Sequence, residues 1–303
     1  MRRTVTGEQY AASKTIELHV RQETTLMEFL MKEMYGISRN KVKDILQGHG
    51  VQVNKKLVTQ YDYPLLPGQV VHVSRHKRST ELNSKFVRIV YEDKDIIVIN
   101  KSEGILSMES APGQYCVKTI LNEYFKKRHF KCTAHVVHRL DRETSGLMIY
   151  AKSLESRKIL EENWHDLVYD RRYVAVLCGE MEQEGGTVRS WLRDNKAFVT
   201  YSSPTDNGGK LAVTHYKVVR TSRRYSLLEL RLDTGRRNQI RVHLREEKHP
   251  VVHDPMYGYK DDVSPINRLA LHAFRLGFTH PVTGKKLLFE TPYPKAFEKL
   301  MTL

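Results

Sequence analysis

The sequence predicts an α+β fold in two unequal parts. A large C-terminal domain is built on a largely antiparallel mixed β-sheet with flanking helices, and a small α/β domain precedes it. Three observations carry this reading. Strand-like runs outnumber helical ones after residue 86, and most are joined as hairpins. Ahead of residue 75, two short helical patterns are followed by short strands. Between the two lies the polar, charged stretch "RHKRSTELNS", which reads as a connector. The chain of 303 residues therefore divides into a tail over 1–15, a small domain over 16–75, a linker over 76–85 and a large domain over 86–303. Its hydrophobic content of 40% is enough for proper cores and excludes wholesale disorder.

The elements follow in order. "MRRTVTGEQYAASKT" is polar and aperiodic, a loose tail. From Thr25 the pattern turns helical: Thr25 and Glu28 fit a capping box, and Leu26, Phe29, Leu30 and Met34 recur at helical spacing. In "SRNKVKDILQGHG" Ser38 is the N-cap, Val42, Ile45 and Leu46 form the buried stripe, and Gly48 is the stop. "VQVN", the basic turn "KK" and "LLPGQVVHVS" read as short strands around a Pro67-Gly68 turn. In the large domain, "FVRIVYEDKDIIVINK" is a hairpin about the acidic turn "EDKD". "VKTILNEYFKKRH" places Val117, Ile120, Leu121, Tyr124 and Phe125 on one helical face. "GLMIYAKS" is a strand and "SLESRKILEENW" a helix. "YVAVLCGE", "LAVTHYKVVR" and "YSLLELRLDTG" are strands, the last two a hairpin. "RRNQIRVHLREE" is a helix, and "RLALHAFRLGFTHPVTGKKLLFETP" a strand pair about a turn.

Charge narrows the partners. Lys and Arg number 50 against 35 Asp and Glu, a formal charge of +15, which favours a polyanion. No apolar run approaches the roughly 18 residues of a spanning helix, and no signal peptide opens the chain, so a membrane is not expected. The three cysteines are scattered and lack C-x-x-C spacing, which points away from a disulfide framework or zinc knuckle and towards the cytoplasm. There is no Rossmann glycine fingerprint, P-loop, H-E-x-x-H or G-x-S-x-G, and no cofactor is expected. Nucleic acid leads on composition.

In the small domain, "SRNKVK", "GHGVQVNKK" and "PGQVVHV" resemble the RNA-binding domain named after the fourth small-subunit ribosomal protein, with Gln69 in place of the usual acid. The resemblance implies phosphate contact by Arg39, Lys41 and Lys43 on the second helix and by Lys55 and Lys56 at the strand turn. Charge runs are more commonly only a solvated helix face, but here basic residues from helix and turn converge.

In the large domain, "HRLDRETSGLMIYAKS" resembles the active-site segment of the RluA-type pseudouridine synthases. "IVYEDKDIIVINKSEGIL", "RRYVAVLCGE", "TGRRNQIRVHLREEKHPVVHDPMYG" and "RLALHAFRLGFTHPVTG" match further motifs of that family in the right order, over 86–303. His138 opens the motif where relatives of the RsuA type have Gly. The resemblance implies isomerisation of uridine within RNA to pseudouridine, with no cofactor and no metal. It makes Asp141 the catalytic nucleophile, a carboxylate role also found in glycosidases. Arg241 is the arginine paired with that acid, lowering its pKa and orienting it. Tyr173 is the tyrosine that stacks on uracil and serves proton transfer. Arg139, His138, Asn238 and Leu271 are implied substrate contacts, Arg139 at a phosphate or the extruded nucleotide and Leu271 against the flipped base. Glu143 reads as a variable loop acid.

Each residue has a plainer reading. Arg–Asp pairs are usually structural, strand tyrosines usually cross-strand or core residues, and Thr144-Ser145-Gly146 a turn. His138, His243 and His272 lack metal-ligand spacing. It is the joint occurrence that points to catalysis. Departures from the family pattern are Asn238 for a usual His, Ser102 for a Pro, and Lys248 and His253 for glycines, the last two suggesting a changed loop. The expected partner is RNA, most simply large-subunit ribosomal RNA by analogy, with the enzyme a monomer. The rival expectations are a tRNA-directed synthase, an inactive RNA-binding or ribosome-assembly factor, and a hydrolase releasing free uracil.

Overall fold

The computed structural model describes residues 15–47, 50–54, 56–74, 82–128 and 130–302. Most of the expected tail, the Gly48 stop, Lys55 and residues 75–81 of the connector lie outside the described residues. The chain forms two compact units, Met1–Asn83 and Ser84–Leu303.

The first unit begins with β1 (Thr15–His19) and β2 (Thr24–Thr25), then α1 (Leu26–Glu33) and α2 (Arg39–Gln47). Strands β3 (Val51–Val53), β4 (Lys56–Leu57), β5 (Pro64–Leu65) and β6 (Val70–Ser74) follow. Helix α1 opens on the capping box: the Thr25 hydroxyl accepts from the Glu28 N–H, and the Glu28 carboxylate accepts from the Thr25 N–H, both at 3.4 Å. At α2 the Ser38 hydroxyl accepts from the Lys41 N–H at 3.2 Å. Strand β1 was not expected and starts inside the stretch read as tail. Its alternation of buried Ile16 and Leu18 with exposed Glu17 and His19 is a period-2 signal masked by the polar lead-in. The strands form an antiparallel sheet in the order β1-β6-β3-β4, with β2 and β5 paired apart from it. Its core is hydrocarbon, with Leu26, Val42, Leu65, Val71 and Val73 fully enclosed.

The second unit opens with β7 (Val87–Glu92), β8 (Ile96–Lys101), α3 (Val117–Lys127), β9 (His135–Val136) and β10 (Ser145–Ala151). Then come α4 (Leu154–Glu162), α5 (Trp164–Leu167), β11 (Asp170–Cys178), β12 (Gly185–Asp194) and β13 (Thr200–Ser203). The chain continues through β14 (Lys210–Thr221), β15 (Tyr225–Leu232), α6 (Gln239–Glu246), β16 (Leu271–Thr279), β17 (Lys286–Glu290) and α7 (Lys295–Leu300). One 11-stranded sheet runs β13-β12-β14-β15-β11-β16-β10-β8-β7, with β17 on β16 and β9 on β10. The β7–β8 hairpin turns on Asp93, whose Oδ1 accepts from the Asp95 and Ile96 N–H groups at 2.8 Å each. Helix α3 buries the five residues of its predicted stripe.

Among the described strands, only β10 and β16 pair in parallel, through Ser145–His272 and Gly146–Ala273. That junction sets the site, because it brings the start of β10, just after residues 138–144, beside the start of β16. Gly146 has φ of +124°, and a Cβ there would meet the Ala273 carbonyl oxygen at 2.2 Å, so no larger residue fits without moving a strand. Helix α6 begins at Gln239, three residues later than expected, because Asn238 adopts a left-handed backbone. Hairpin β12–β13 was not read from the sequence: its buried face, Val188, Ser190 and Leu192, carries a serine where the apolar alternation should repeat. Among the described residues, no helix is long and apolar enough to cross a membrane.

Candidate active site

Residues 138–146 are strapped in place from below. The Lys101 ammonium, at the end of β8, is fully enclosed and donates to three carbonyls: Ser102 at 3.0 Å, Ile105 at 2.8 Å and Arg142 at 3.0 Å. Burial lowers its pKa to about 8, against the pull of Glu143, Asp141 and Glu103. The Ser107 hydroxyl donates to the Leu140 carbonyl at 2.8 Å and accepts from the Leu140 N–H at 3.2 Å. Backbone bonds from Gly104 to the Arg142 carbonyl and from Thr144 to the Asp141 carbonyl close the turn. The loop is over-determined by contacts within the chain, which holds its side chains at fixed points.

Asp141 stands on a cavity of about 510 Å³ shared with Arg139, Tyr173, Asn238, Arg241 and Leu271. All seven residues implied as catalytic or substrate-contacting, His138 included, thus line one cavity. The cavity lining carries seven cations (Arg139, Arg171, Arg193, Lys210, Arg236, Arg237 and Arg241) against two acids, Asp141 and Asp194. Asp194 is occupied, accepting from the Thr200 hydroxyl at 2.6 Å and facing Arg237 at 3.5 Å. Asp141 has only Arg241, at 3.8 Å, and is 23% exposed. It is the one lining carboxylate left unbonded among the described residues.

Arg241 meets Asp141 as expected, but its hydrogen bonds go elsewhere. Its Nε and Nη2 both donate to Asp254, at 2.7 Å each, and its Nη1 donates to Asn238 Oδ1 at 2.9 Å. Asp254 is fully buried and also accepts from the Met256 and Tyr257 N–H groups at 2.9 Å. Burial works against the Arg241 charge, but the Asp254 carboxylate outweighs it and the pKa rises. The guanidinium therefore meets Asp141 as a fixed charge held from behind. Sequence reasoning passed over Asp254, although "HDPMYG" displayed it.

The sign at Asp141 also differs from expectation. Burial raises its pKa, and Arg241, Arg139, Arg237 and Lys101 pull it back. The cations restrain a rise instead of producing a fall. Tyr173, on β11, is 6% exposed. Burial raises its pKa, with Arg171 opposing and Asp141 adding, so the hydroxyl keeps its proton at neutral pH. No described residue hydrogen-bonds that hydroxyl, leaving it to the cavity.

His138 is not the polar substrate contact expected. Its Nε2 accepts from the Ile149 N–H at 3.1 Å, and its Nδ1 is enclosed without a partner. The ring lies 4.8 Å from Trp164, and burial, then Arg171, lowers its pKa to about 3. It is a neutral wall residue fixing β10. Asn238, with φ of 51°, spends its amide on Arg241 and, through Nδ2, on the Tyr257 hydroxyl at 3.2 Å, so it orients Arg241. Lys248 and His253 take φ of 63° and 55°, a left-handed backbone that suits glycine. Ser102 donates its N–H to the Phe86 carbonyl at 2.7 Å, a bond that proline lacks. Glu143 faces Arg142 at 3.6 Å and neither lines the cavity. Asp93, Asp95 and His280 could together face a metal ion, but Asp93 is already bonded at its turn and the group is not in this lining.

In the first unit Arg39, Lys41, Lys43 and Lys56 are all exposed, and none has a carboxylate partner within 4.0 Å among the described residues. Basic residues with no intramolecular use are available to phosphates.

The family model for RNA pseudouridylate synthases matches residues 95–246, and that for the S4 domain residues 25–71. The ribosomal large subunit pseudouridine synthase D of Neisseria meningitidis serogroup B is 35% identical over 90% of this chain and 77% of its own. The uncharacterized RNA pseudouridine synthase YjbO of Bacillus subtilis is 35% identical over 88% of this chain and 95% of its own. Among solved structures, human RNA pseudouridylate synthase domain containing 4 superposes with a TM-score of 0.57 at 24% identity, covering 71% of this chain and 91% of that one, a likeness of fold.

Proposed function

Because this chain belongs to the RNA pseudouridylate synthase family, we propose that it isomerises uridine in large-subunit ribosomal RNA with Asp141 as nucleophile. The supporting observation is the single unbonded carboxylate of a cationic cavity, faced by a guanidinium that is immobilised from behind. Asp141 attacks C1′, and the uracil leaves with the N1–C1′ electron pair. The base turns against Tyr173 and Leu271, and C5 bonds to C1′ as the C5 proton is lost and N1 gains one. Asp141 departs unchanged. Arg241 offsets the charge of the carboxylate before attack and after release. Tyr173, protonated and unbonded, is placed to pass the proton. The cationic lining holds the phosphates of the extruded nucleotide.

The ribosomal target rests on relatives named as large-subunit enzymes and on the basic first unit. The enzyme acts as a cytoplasmic monomer in this reading. Pseudouridine mapping of ribosomal and transfer RNA, from strains with and without the gene, tests it. Sites lost from large-subunit RNA, restored by the wild-type gene and not by Asp141→Asn, are expected. Loss only in tRNA would move the target. An unchanged map would indicate a binder without activity, and free uracil in the reaction would indicate hydrolysis.

A further inference from the structure

A second cavity, of about 570 Å³, adjoins the first and shares His138, Arg171, Leu232, Gly235 and Arg236 with it. Its own side is formed by Trp164 and His165 of α5, Tyr169 just before β11, and Arg231 near the end of β15. Three features give it a chemical character.

The shared wall carries spare positive charge. Arg171 donates to the Thr234 carbonyl at 3.2 Å and lies 5.9 Å from the Trp164 ring, while Arg236 donates to the Leu211 carbonyl at 3.1 Å. Neither has a carboxylate within 4.0 Å among the described residues. The cavity's two acids already have partners: Glu161 has Arg157 at 3.0 Å, and Asp233 has Arg231 at 3.7 Å and a hydrogen bond with His215 at 2.7 Å. Finally, the far side is aromatic, with Trp164 half-buried and Tyr169 48% exposed. An anion site leading onto aromatic rings suits a nucleotide, whose phosphate and base need those two surfaces in that order. At this volume, within the roughly 300–1,000 Å³ of small-ligand sites, one base fits.

We propose that this second cavity binds the nucleotide next to the target uridine on the RNA strand. The phosphate joining the two nucleotides lies across Arg171 and Arg236, and the neighbouring base stacks beside Trp164 and Tyr169. The inference rests on the RNA-modifying role given above and extends it. Recognition covers at least two consecutive unpaired nucleotides, one in each cavity.

The chain has two tryptophans, so Trp191→Phe leaves Trp164 as the only indole emitter. The test titrates this variant with a nine-residue oligouridylate, with uridine monophosphate at equal nucleotide concentration, and with linear polyphosphate of equal charge. Oligouridylate is expected to quench Trp164 saturably, and the other two to leave it nearly unchanged. Adding Tyr169→Ala should weaken oligouridylate binding about 5-fold or more. With ribosomal RNA as substrate, Tyr169→Ala should raise KM by a similar factor and leave kcat in place. Emission unmoved by oligouridylate, or moved equally by polyphosphate, overturns the inference. Turnover of ribosomal RNA by wild type alongside unmoved emission would remove this subsite and leave the activity standing. Quenching without turnover would instead remove the activity and keep the subsite.

Discussion

The two units handle charge in opposite ways. In the first, no polar or charged residue among those described is fully buried, and the basic side chains stand in solvent. In the second, Lys101, Arg241, Asp254, His243 and His272 are all enclosed, several of them around or beneath the same cavity. Holding a polyanion needs only mobile surface cations, whose effect is long-ranged and screened by salt. The reaction proposed for the second needs a carboxylate at a fixed point, and fixing it takes charges in low dielectric whose every partner is specified. The first unit is therefore built to tolerate substitution at its working surface, and the second is not.

The sharpest way to break this contrast is at Asp141. Asp141→Asn should lower kcat by on the order of 10³-fold or more while leaving RNA affinity nearly unchanged. Single-turnover assays and filter binding on one RNA measure both. A variant that turns over normally would refute the division of labour together with the nucleophile.

Next in size is the charge behind the site. Asp254→Ala strands the buried Arg241 guanidinium and should cost about 3–5 kcal/mol of stability, read from denaturant unfolding of the larger unit. Asp254→Asn preserves the shape and some hydrogen bonds, so it should cost less stability yet still lower activity, because Arg241 loses its orientation. Equal, small effects of both would mean that the pair is peripheral.

Acid should separate the units as well. Burial holds His138, His243 and His272 at about 3, 4 and 3, against about 6.5 in an unfolded chain. The unfolded state thus takes up protons that the folded state refuses, and stability present above pH 6.5 is lost as pH falls towards 4. Glu246, raised to about 7 by burial, and Asp141, also raised by burial, work the other way, two carboxylates against four rings once His135, likewise lowered by burial, is included. The thermal midpoint of the larger unit should therefore drop between pH 6.5 and 4. A flat or rising midpoint over that range would contradict the burial of these rings.

The first unit gives the milder result. Replacing Arg39, Lys41 and Lys43 together with glutamine should leave kcat unchanged. It should reduce the slope of log affinity against log salt by about 2–3, at most about 0.7–0.9 per lost phosphate contact. An unchanged slope would mean that these side chains only solvate the helix.

How much of this was written in the sequence depends on the range of the interaction. The stripe of α3, the capping box at Thr25 and the "EDKD" turn were legible because their partners lie within four residues of one another. The β12–β13 hairpin was hidden because Ser190 occupies a core-facing position, bonded to His243 at 3.1 Å, a tertiary contact without local trace. Asp141, Tyr173, Arg241 and Leu271 were reached through motif resemblance, not periodicity, and the structure brings them to one cavity. The sequence could not show that Arg241 answers first to Asp254, or that desolvation beats four cations in setting the direction at Asp141. Both are balances between competing near neighbours, and only coordinates rank them.

The loop after α6 offers the smallest test and isolates backbone from charge. Lys248 and His253 hold left-handed φ values at positions where a Cβ is strained by about 1 kcal/mol or so. His253 also donates its N–H to Asp262 at 2.6 Å, and glycine would preserve that bond. Lys248→Gly and His253→Gly should each therefore raise stability by a few tenths to about 1 kcal/mol, the relief of native strain partly offset by greater freedom of the unfolded chain. Asp254 lies one residue beyond His253, so the His253 variant also asks whether the loop's strain helps to aim Arg241. A stabilised variant with unchanged kcat would show that the buried Asp254 pair alone fixes the arginine. A stabilised variant with lower kcat would show that strain in this loop is part of the machinery that the first unit lacks.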